Sequence, residues 1–346
     1  MSKMQQKYEY YLLFCSERSG SNFVVDFIQR QTGVLSLPVS HLLRLLTINR
    51  LKFGDFKSDI EWLSFINYCQ RIIDTGVGSF DKGIVLDKSK LLKIKRRDVF
   101  SILDHIVSCV RFNGKKVIIK ENMTFEFLPA LLCSGRINGI IYQVRNPIGV
   151  VSSLIRSKNH FIEPKSAITK WNREQLAFLR ALGYVRDSLK TIIIRYEDLV
   201  NDPTGMLSKF KKFLKVKKLS SSVWRCNRKA NATIENLKLI DGSVKRNRND
   251  VAVKHLNSSQ IKLIEKGCLD LMLLFGYIGG HNDISVNLYP EWLIEEDPEK
   301  VSGKIKEAKL QKDEKNLRLA RCALLHDLMN RKLDYNLPGF SIGELK

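Results

Sequence analysis

The chain has 346 residues, 44% of them apolar, with 58 Lys and Arg against 36 Asp and Glu and a formal net charge of +22. This apolar fraction makes a packed core feasible and disorder not the default, and the length suits one large α/β domain or two ordinary ones. No run approaches the roughly 18–20 apolar residues of a spanning helix. The cysteines at 15, 69, 109, 133, 226, 268 and 322 are scattered, with neither zinc spacing nor a disulfide framework. With no cleavable leader pattern after the short N-terminal apolar run, the expectation is a cytoplasmic protein with reduced cysteines and no transmembrane segment.

In chain order, Tyr8–Cys15 (YEYYLLFC) reads as a buried strand bounded by a Ser/Gly cluster. Asn22–Gln31 has apolar residues at helical spacing and stops near Gly33. Residues 38–75 read as largely helical and Gly83–Leu86 as a short extended piece. A helix over Val99–Phe112 precedes a strand at Lys116–Lys120 (KVIIK), and a helix at Leu128–Cys133 precedes a strand at Gly139–Val144 (GIIYQV). Helices follow at Gly149–Ser157 and Ser166–Leu182, then a strand at Thr191–Arg195 (TIIIR) and a helix through Met206–Leu214. Ser258–Phe275 reads as one amphipathic helix stopped by Gly276. Strands alternating with helices imply a mostly parallel sheet covered on both faces.

The charge is unevenly placed. Residues 281–346 hold 11 basic and 12 acidic groups and read as a charged, mainly helical extension, whereas Lys209–Lys254 holds 14 basic against three acidic ones. Such a field attracts nucleic acid, acidic lipid or a small polyanion. A nucleic-acid module would interleave exposed aromatics with the charge, but Phe210, Phe213 and Leu214 in KFKKFLKVKK fall at helical spacing suited to a core, so nucleic acid is not the expected partner.

Two segments carry anion chemistry. The loop Ser16-Glu17-Arg18-Ser19-Gly20-Ser21-Asn22 joins a strand to a helix, where free backbone N–H groups and the helix dipole favour an oxyanion. Gly20 permits close backbone approach, Ser19, Ser21 and Asn22 add short donors, and Arg18 adds a fixed fork of N–H groups. It is not a Walker loop, since no Lys follows Gly20. The second segment is Arg145-Asn146-Pro147-Ile148-Gly149-Val150-Val151-Ser152-Ser153, with Arg145 at the carboxyl end of a strand, where open α/β sheets bind ligands. Pro147 suits a helix start, and Ser153 can turn toward the same side as Arg145, so charge and hydroxyl converge on one phosphate.

These blocks, in this order, with Arg195-Tyr196-Glu197-Asp198-Leu199-Val200-Asn201-Asp202-Pro203 after a further strand, resemble the superfamily of sulfotransferases that use 3′-phosphoadenosine 5′-phosphosulfate (PAPS). The resemblance spans roughly residues 8–280. Glu17 stands where the family's first motif usually has Pro, and Asn22 where Thr is usual. Arg18 resembles the carbohydrate- and trehalose-type branch more than the branch with Lys there. The resemblance implies a P-loop-NTPase-like central parallel sheet with helices on both faces, a catalytic domain over residues 1–280 and an extension over 281–346 that could serve as a homodimer arm. It implies PAPS as co-substrate without a metal, and sulfuryl transfer to a hydroxyl of a small-molecule or carbohydrate acceptor, a glycolipid included. Arg18 would then compensate charge on the breaking bond, with Ser19, Gly20, Ser21 and Asn22 as donors, and Arg145 and Ser153 would hold the 3′-phosphate. Arg246 and Arg248, in a basic loop, would complete that pocket, and Tyr196 would lie near the adenine. For the general base, His41 and Glu121 stand level, with Asp87 a third candidate from the segment Asp87-Lys88-Ser89; Lys120 and Lys88 are candidates to assist the leaving group. Two other readings stay open: a small-molecule kinase, whose Walker Lys is missing, and a sulfotransferase fold that binds without catalysis, suggested by Glu17.

Overall fold

The run YYLLFC is buried along its whole length because β1 (Glu9–Cys15) is the middle strand of a five-stranded parallel sheet. A strand covered on both faces needs a continuous apolar run rather than an alternating one. The computed structural model describes residues 7–37, 43, 53–54, 56–74, 84–110, 112, 114–121, 131, 135–157, 162–185, 189–216, 252–279 and 286. After β1 come α1 (Ser21–Thr32), β2 (Leu35–Ser36), α2 (Asp59–Asp74), α3 (Lys88–Leu92), α4 (Val99–Cys109), β3 (Lys116–Glu121), β4 (Ile137–Val144) and α5 (Pro147–Ile155). They are followed by α6 (Pro164–Val185), β5 (Lys190–Arg195), α7 (Tyr196–Asn201), α8 (Pro203–Leu214), α9 (Ser258–Gly267) and α10 (Leu269–Leu274).

The sheet order is β2-β3-β1-β4-β5. From β1 the chain moves out to β2 and β3 on one side, then crosses to β4 and β5 on the other. The reversal falls between β1 and β4, which is where open α/β sheets form a crevice at their carboxyl ends. The register sets Phe14 beside Tyr142 and Cys15 beside Gln143 on one side of β1, and Phe14 beside Glu121 on the other. The β1–β4 register shifts between Tyr10 and Tyr11, where the Tyr10 N–H donates to Asn138 Oδ1 at 2.9 Å, so the irregular pairing leaves that donor satisfied.

Alternation along β1 divides the core. Tyr11, Leu13 and Cys15 pack with Val24, Val25 and Ile28 of α1 and with Met206, Phe210 and Leu214 of α8. Tyr10, Leu12 and Phe14 face the larger layer built by α2, α4, α6, α9 and α10. The helix starts follow ordinary capping rules. Asn146 accepts from the Ile148 N–H ahead of Pro147, Asp98 from Ser101, Asp202 from Gly205 ahead of Pro203, and Asn257 with Gln260 forms a capping box. Gly33 ends α1 with φ 71°.

The expected parallel sheet with helices on both faces is what forms. Several details differ from the sequence reading, among them the short helices α3 and α7. Two-residue β2 on the sheet edge is too short to leave a periodic signal. Residues 84–87 form no strand; Gln70 straps them instead, donating to Ile84 O at 3.1 Å and accepting from the Leu86 N–H at 2.7 Å. The single helix expected over 258–275 is two, α9 and α10, joined at Cys268. Apart from Leu131, the expected helix at Leu128–Cys133 lies outside the described residues, as does nearly all of the 281–346 extension. Among the described residues no helix is long and apolar enough to cross a membrane.

Phe14, Tyr142 and Phe178 make the aromatic centre of the larger layer: Phe178 stacks on Tyr142 with ring centroids 3.7 Å apart and on Phe14 at 4.7 Å. Phe178 is fully buried. Truncating it leaves a cavity between sheet and α6. Phe178→Ala is expected to cost about 3–5 kcal/mol, read as a lowered midpoint in chemical denaturation.

Candidate functional site

The crevice between β1 and β4 is lined by two loops that begin where those strands end. In the first, φ is positive at Arg18 (62°) and Gly20 (84°) but not at Ser19 between them. Alternating backbone handedness turns successive N–H groups toward one concavity, which here opens onto the N-terminus of α1. Gly20 is required for two reasons. Its left-handed conformation suits glycine, and a Cβ there would sit 2.6 Å from Tyr196 Cε2. Tyr196 is thus the floor on which the loop rests, and it meets Phe23 of α1 edge-on at 6.2 Å.

The second loop supplies Arg145, which is 8% exposed. Its guanidinium lies 4.7 Å from the centre of the Tyr196 ring and donates to the Arg18 carbonyl at 3.1 Å. Trp171 of α6 donates to the Arg145 carbonyl at 3.3 Å. Ser153, on α5, accepts from Arg18 Nε at 3.0 Å. Arg18 thus contacts Ser153 through its side chain and Arg145 through its carbonyl, which brings the two segments together. Ser152 turns the other way, donating to the Ala252 carbonyl at 3.1 Å.

Lys120 and Glu121 end β3 on the far side of β1, and strand alternation sends them to opposite faces. Lys120, 3% exposed, reaches the α1 face and donates to Asn22 Oδ1 at 3.0 Å. This gives Asn22 a definite task, fixing a buried ammonium beside the helix N-terminus. The nearby Cys15 thiol, fully buried, is pushed up by burial, an effect the Lys120 charge and the Ser19 and Ser21 hydroxyls offset in part. Glu121 is buried on the opposite face, and its Oε1 accepts from the Leu43 N–H at 3.1 Å.

The Arg195–Asp202 block fastens the second loop. Glu197 accepts from the Asn146 N–H at 3.1 Å and from the Tyr277 hydroxyl at 3.1 Å. Arg195 grips Asp198 at 2.6 Å and donates to the Gly276 carbonyl at 2.8 Å. The chain after α10 is thereby tied to the turn that carries Arg145. Burial, with the Glu197 carboxylate beside it, pushes the Tyr277 hydroxyl well above its ordinary value.

Several residues that build the site have no counterpart in the motifs. Gln143, buried in β4, donates to the Ser19 carbonyl at 2.8 Å. Gln175 of α6 donates to Ser16 Oγ at 2.5 Å and accepts from the Tyr142 hydroxyl. Their signal is a polar residue inside an apolar pattern: Gln143 in GIIYQV, and Glu174-Gln175 on the helical stripe that includes Ala167, Trp171 and Phe178.

The other candidates fall elsewhere. Asp87 caps α3, accepting from the Lys90 N–H and the Ser89 hydroxyl; its carboxyl is held far below the usual range, the Lys90 side chain being the first cause. Lys88 is exposed on the same helix. His41, Arg246 and Arg248 lie outside the described residues.

The chain matches no family model and no curated protein sequence. Among solved structures it is similar to the sulfotransferase domain of the Synechococcus PCC 7002 olefin synthase, with TM-score 0.46 and 16% identity over 81% of this chain and 99% of that one. It is similar to the sulfotransferase domain of the curacin biosynthetic pathway, with TM-score 0.43 and 17% identity over 96% of this chain and 100% of that one. A mouse sulfotransferase complexed with PAP has TM-score 0.37 and 15% identity over 78% of this chain and 84% of that one.

The Gly20–Tyr196 contact makes a direct test of the loop. Gly20→Ala forces a side chain into left-handed backbone and into the ring, and it is expected to cost about 1–3 kcal/mol. Equilibrium denaturation in urea measures this loss.

Proposed function

We propose that the chain moves the sulfuryl group of PAPS to a hydroxyl of an acceptor of the carbohydrate or glycolipid kind. The observation that supports this reading best is the 3.0 Å contact between Arg18 Nε and Ser153 Oγ, which joins an α1 N-terminus to the Arg145 turn in one basic crevice. Such a crevice suits a ligand with two anionic groups a few bonds apart. The arginine-type first loop and its resemblance to the carbohydrate branch support the acceptor class.

In this reading the 5′-phosphosulfate lies against the N–H groups of Ser19–Asn22, and the 3′-phosphate lies at Arg145 and Ser153. Tyr196 supports both loops from below, close to where an adenine would enter. The acceptor oxygen forms a bond to sulfur as the bond from sulfur to the bridging oxygen breaks, and the electron pair stays on the departing 5′-phosphate. Arg18 and the helix N-terminus stabilise that developing charge in place, and Lys120, buried and held by Asn22, adds a second cation beside it. The acceptor proton passes to a carboxylate or imidazole. Glu121 takes this part among the described residues: it ends the strand next to β1, and the Leu43 N–H orients its carboxylate. His41 remains the other proposal for the base.

Two variants separate the roles. Arg18→Ala is expected to lower kcat by about 10²–10³-fold, the usual loss of one donor to a developing oxyanion, with a smaller change in the affinity for 3′-phosphoadenosine 5′-phosphate (PAP). Arg145→Ala is expected to weaken PAP binding by roughly 10–100-fold, as for loss of a charge-assisted hydrogen bond. Transfer of label from PAPS to a panel of sugars, glycolipids and phenols reads the first, and calorimetry at low salt reads the second. Absence of PAP binding by the unaltered protein would overturn the reading.

A further inference from the structure

Glu17 places a carboxylate next to Arg18 in a loop built to receive anions. Its side chain is turned toward α6, where Lys170 Nζ lies 3.3 Å from Glu17 Oε2 and 3.2 Å from Glu174 Oε1. All three side chains are largely withdrawn from water, with relative exposures of 21% for Lys170, 16% for Glu17 and 4% for Glu174. One ammonium, with three N–H donors, therefore bridges two carboxylates directly behind the donor loop. The next residue of the helix, Gln175, donates to Ser16 Oγ at 2.5 Å, so the same turn of α6 grips the residue that precedes Glu17. Burial opposes the Lys170 charge, yet the two carboxylates outweigh it and hold its pKa above the ordinary lysine value. Burial raises Glu174, and Lys170 offsets part of that rise.

Resting on the donor reading above, we propose that Lys170 is a positioning residue for the donor site. By bridging Glu174 and Glu17 it keeps the Glu17 carboxylate on the α6 side of the loop and cancels a charge that would otherwise repel an anion bound at Arg18. Lys170 does not touch the donor; it acts through Glu17. The loop tolerates an acid at this place because α6 supplies the counter-charge, and removing that counter-charge harms donor binding only as long as the acid is present.

That dependence makes the test a pairwise one. Lys170→Met is expected to weaken PAP binding about 10–30-fold, the order set by one uncompensated charge near an anionic group at an effective dielectric near 20. The donor KM should rise in step, while kcat at saturating donor changes little. Glu17→Gln in the Lys170→Met background should restore PAP affinity to the unaltered level or beyond, and Lys170→Arg should retain most of it. Glu17→Gln by itself should bind PAP no more weakly than the unaltered protein; this holds the test open should Lys170→Met fail to fold. A folded double variant that binds PAP as weakly as Lys170→Met would overturn the proposal, as would a tenfold loss in Glu17→Gln. Pyrophosphate serves as a second probe. An unaltered protein that binds pyrophosphate but not PAP would sink the donor reading and leave Lys170 to be judged on pyrophosphate; one that binds neither would sink both.

Discussion

Cys15 lies beside Gln143 where β1 and β4 come to their ends, and the loops that leave these two points carry Arg18 and Arg145. A slip of one residue in this parallel register would send every side chain of β1 to the other face of the sheet, exchanging the partners of α1 for those of α6. The register is held because both faces are buried and chemically distinct: Leu13 and Cys15 meet the α1 layer, while Leu12 and Phe14 meet the aromatic layer. The meeting of the two arginines is thus a consequence of core packing, and the hydrogen bonds between the loops refine what the sheet imposes.

The site collects buried polar groups, each costly if left unmatched. Several of them are matched from α6 and β4. Tyr142, Gln175 and Ser16 form a relay that runs from the centre of the sheet to the base of the first loop, and Gln143 reaches the Ser19 carbonyl from below. Glu197 does the same for the second loop through Asn146 and Tyr277. Both loops are therefore held in place by side chains of the elements beneath them.

The sequence disclosed these features unequally, for physical reasons. Strands β1, β3 and β4 are legible because a doubly covered strand must be an unbroken apolar run, and half-buried β5 still carries the run TIIIR. The convergence of Arg18, Arg145 and Ser153 is legible because each lies just beyond a strand end or on the helix that follows. Edge strand β2 is invisible at two residues, and the break at Cys268 leaves the apolar spacing of Ser258–Phe275 undisturbed. Lys170, Gln175 and Gln143 escaped because no local motif announces a partner more than 120 residues away, as in the contacts of Gln175 with Ser16 and of Gln143 with Ser19. Glu17 and Asn22 looked like defects in the loop pattern for the same reason: their partners, Lys170 and Lys120, lie on other elements.

A cluster of like charges explains why the crevice is built from so many distant pieces. Arg18, Arg145 and Lys120 gather at the carboxyl end of the sheet, and without an anion their mutual repulsion works against folding. Nearby groups hold each of these cations: the Tyr196 ring under Arg145, the Ser153 hydroxyl on Arg18, and the Asn22 amide on Lys120. These three partners are neutral. The acids near the site are bound differently. Glu197 accepts from the backbone and Tyr277, and Glu17 and Glu174 share Lys170. The named cations thus have neutral partners, while Lys170 supplies a positive charge to the Glu17 and Glu174 pair behind the first loop.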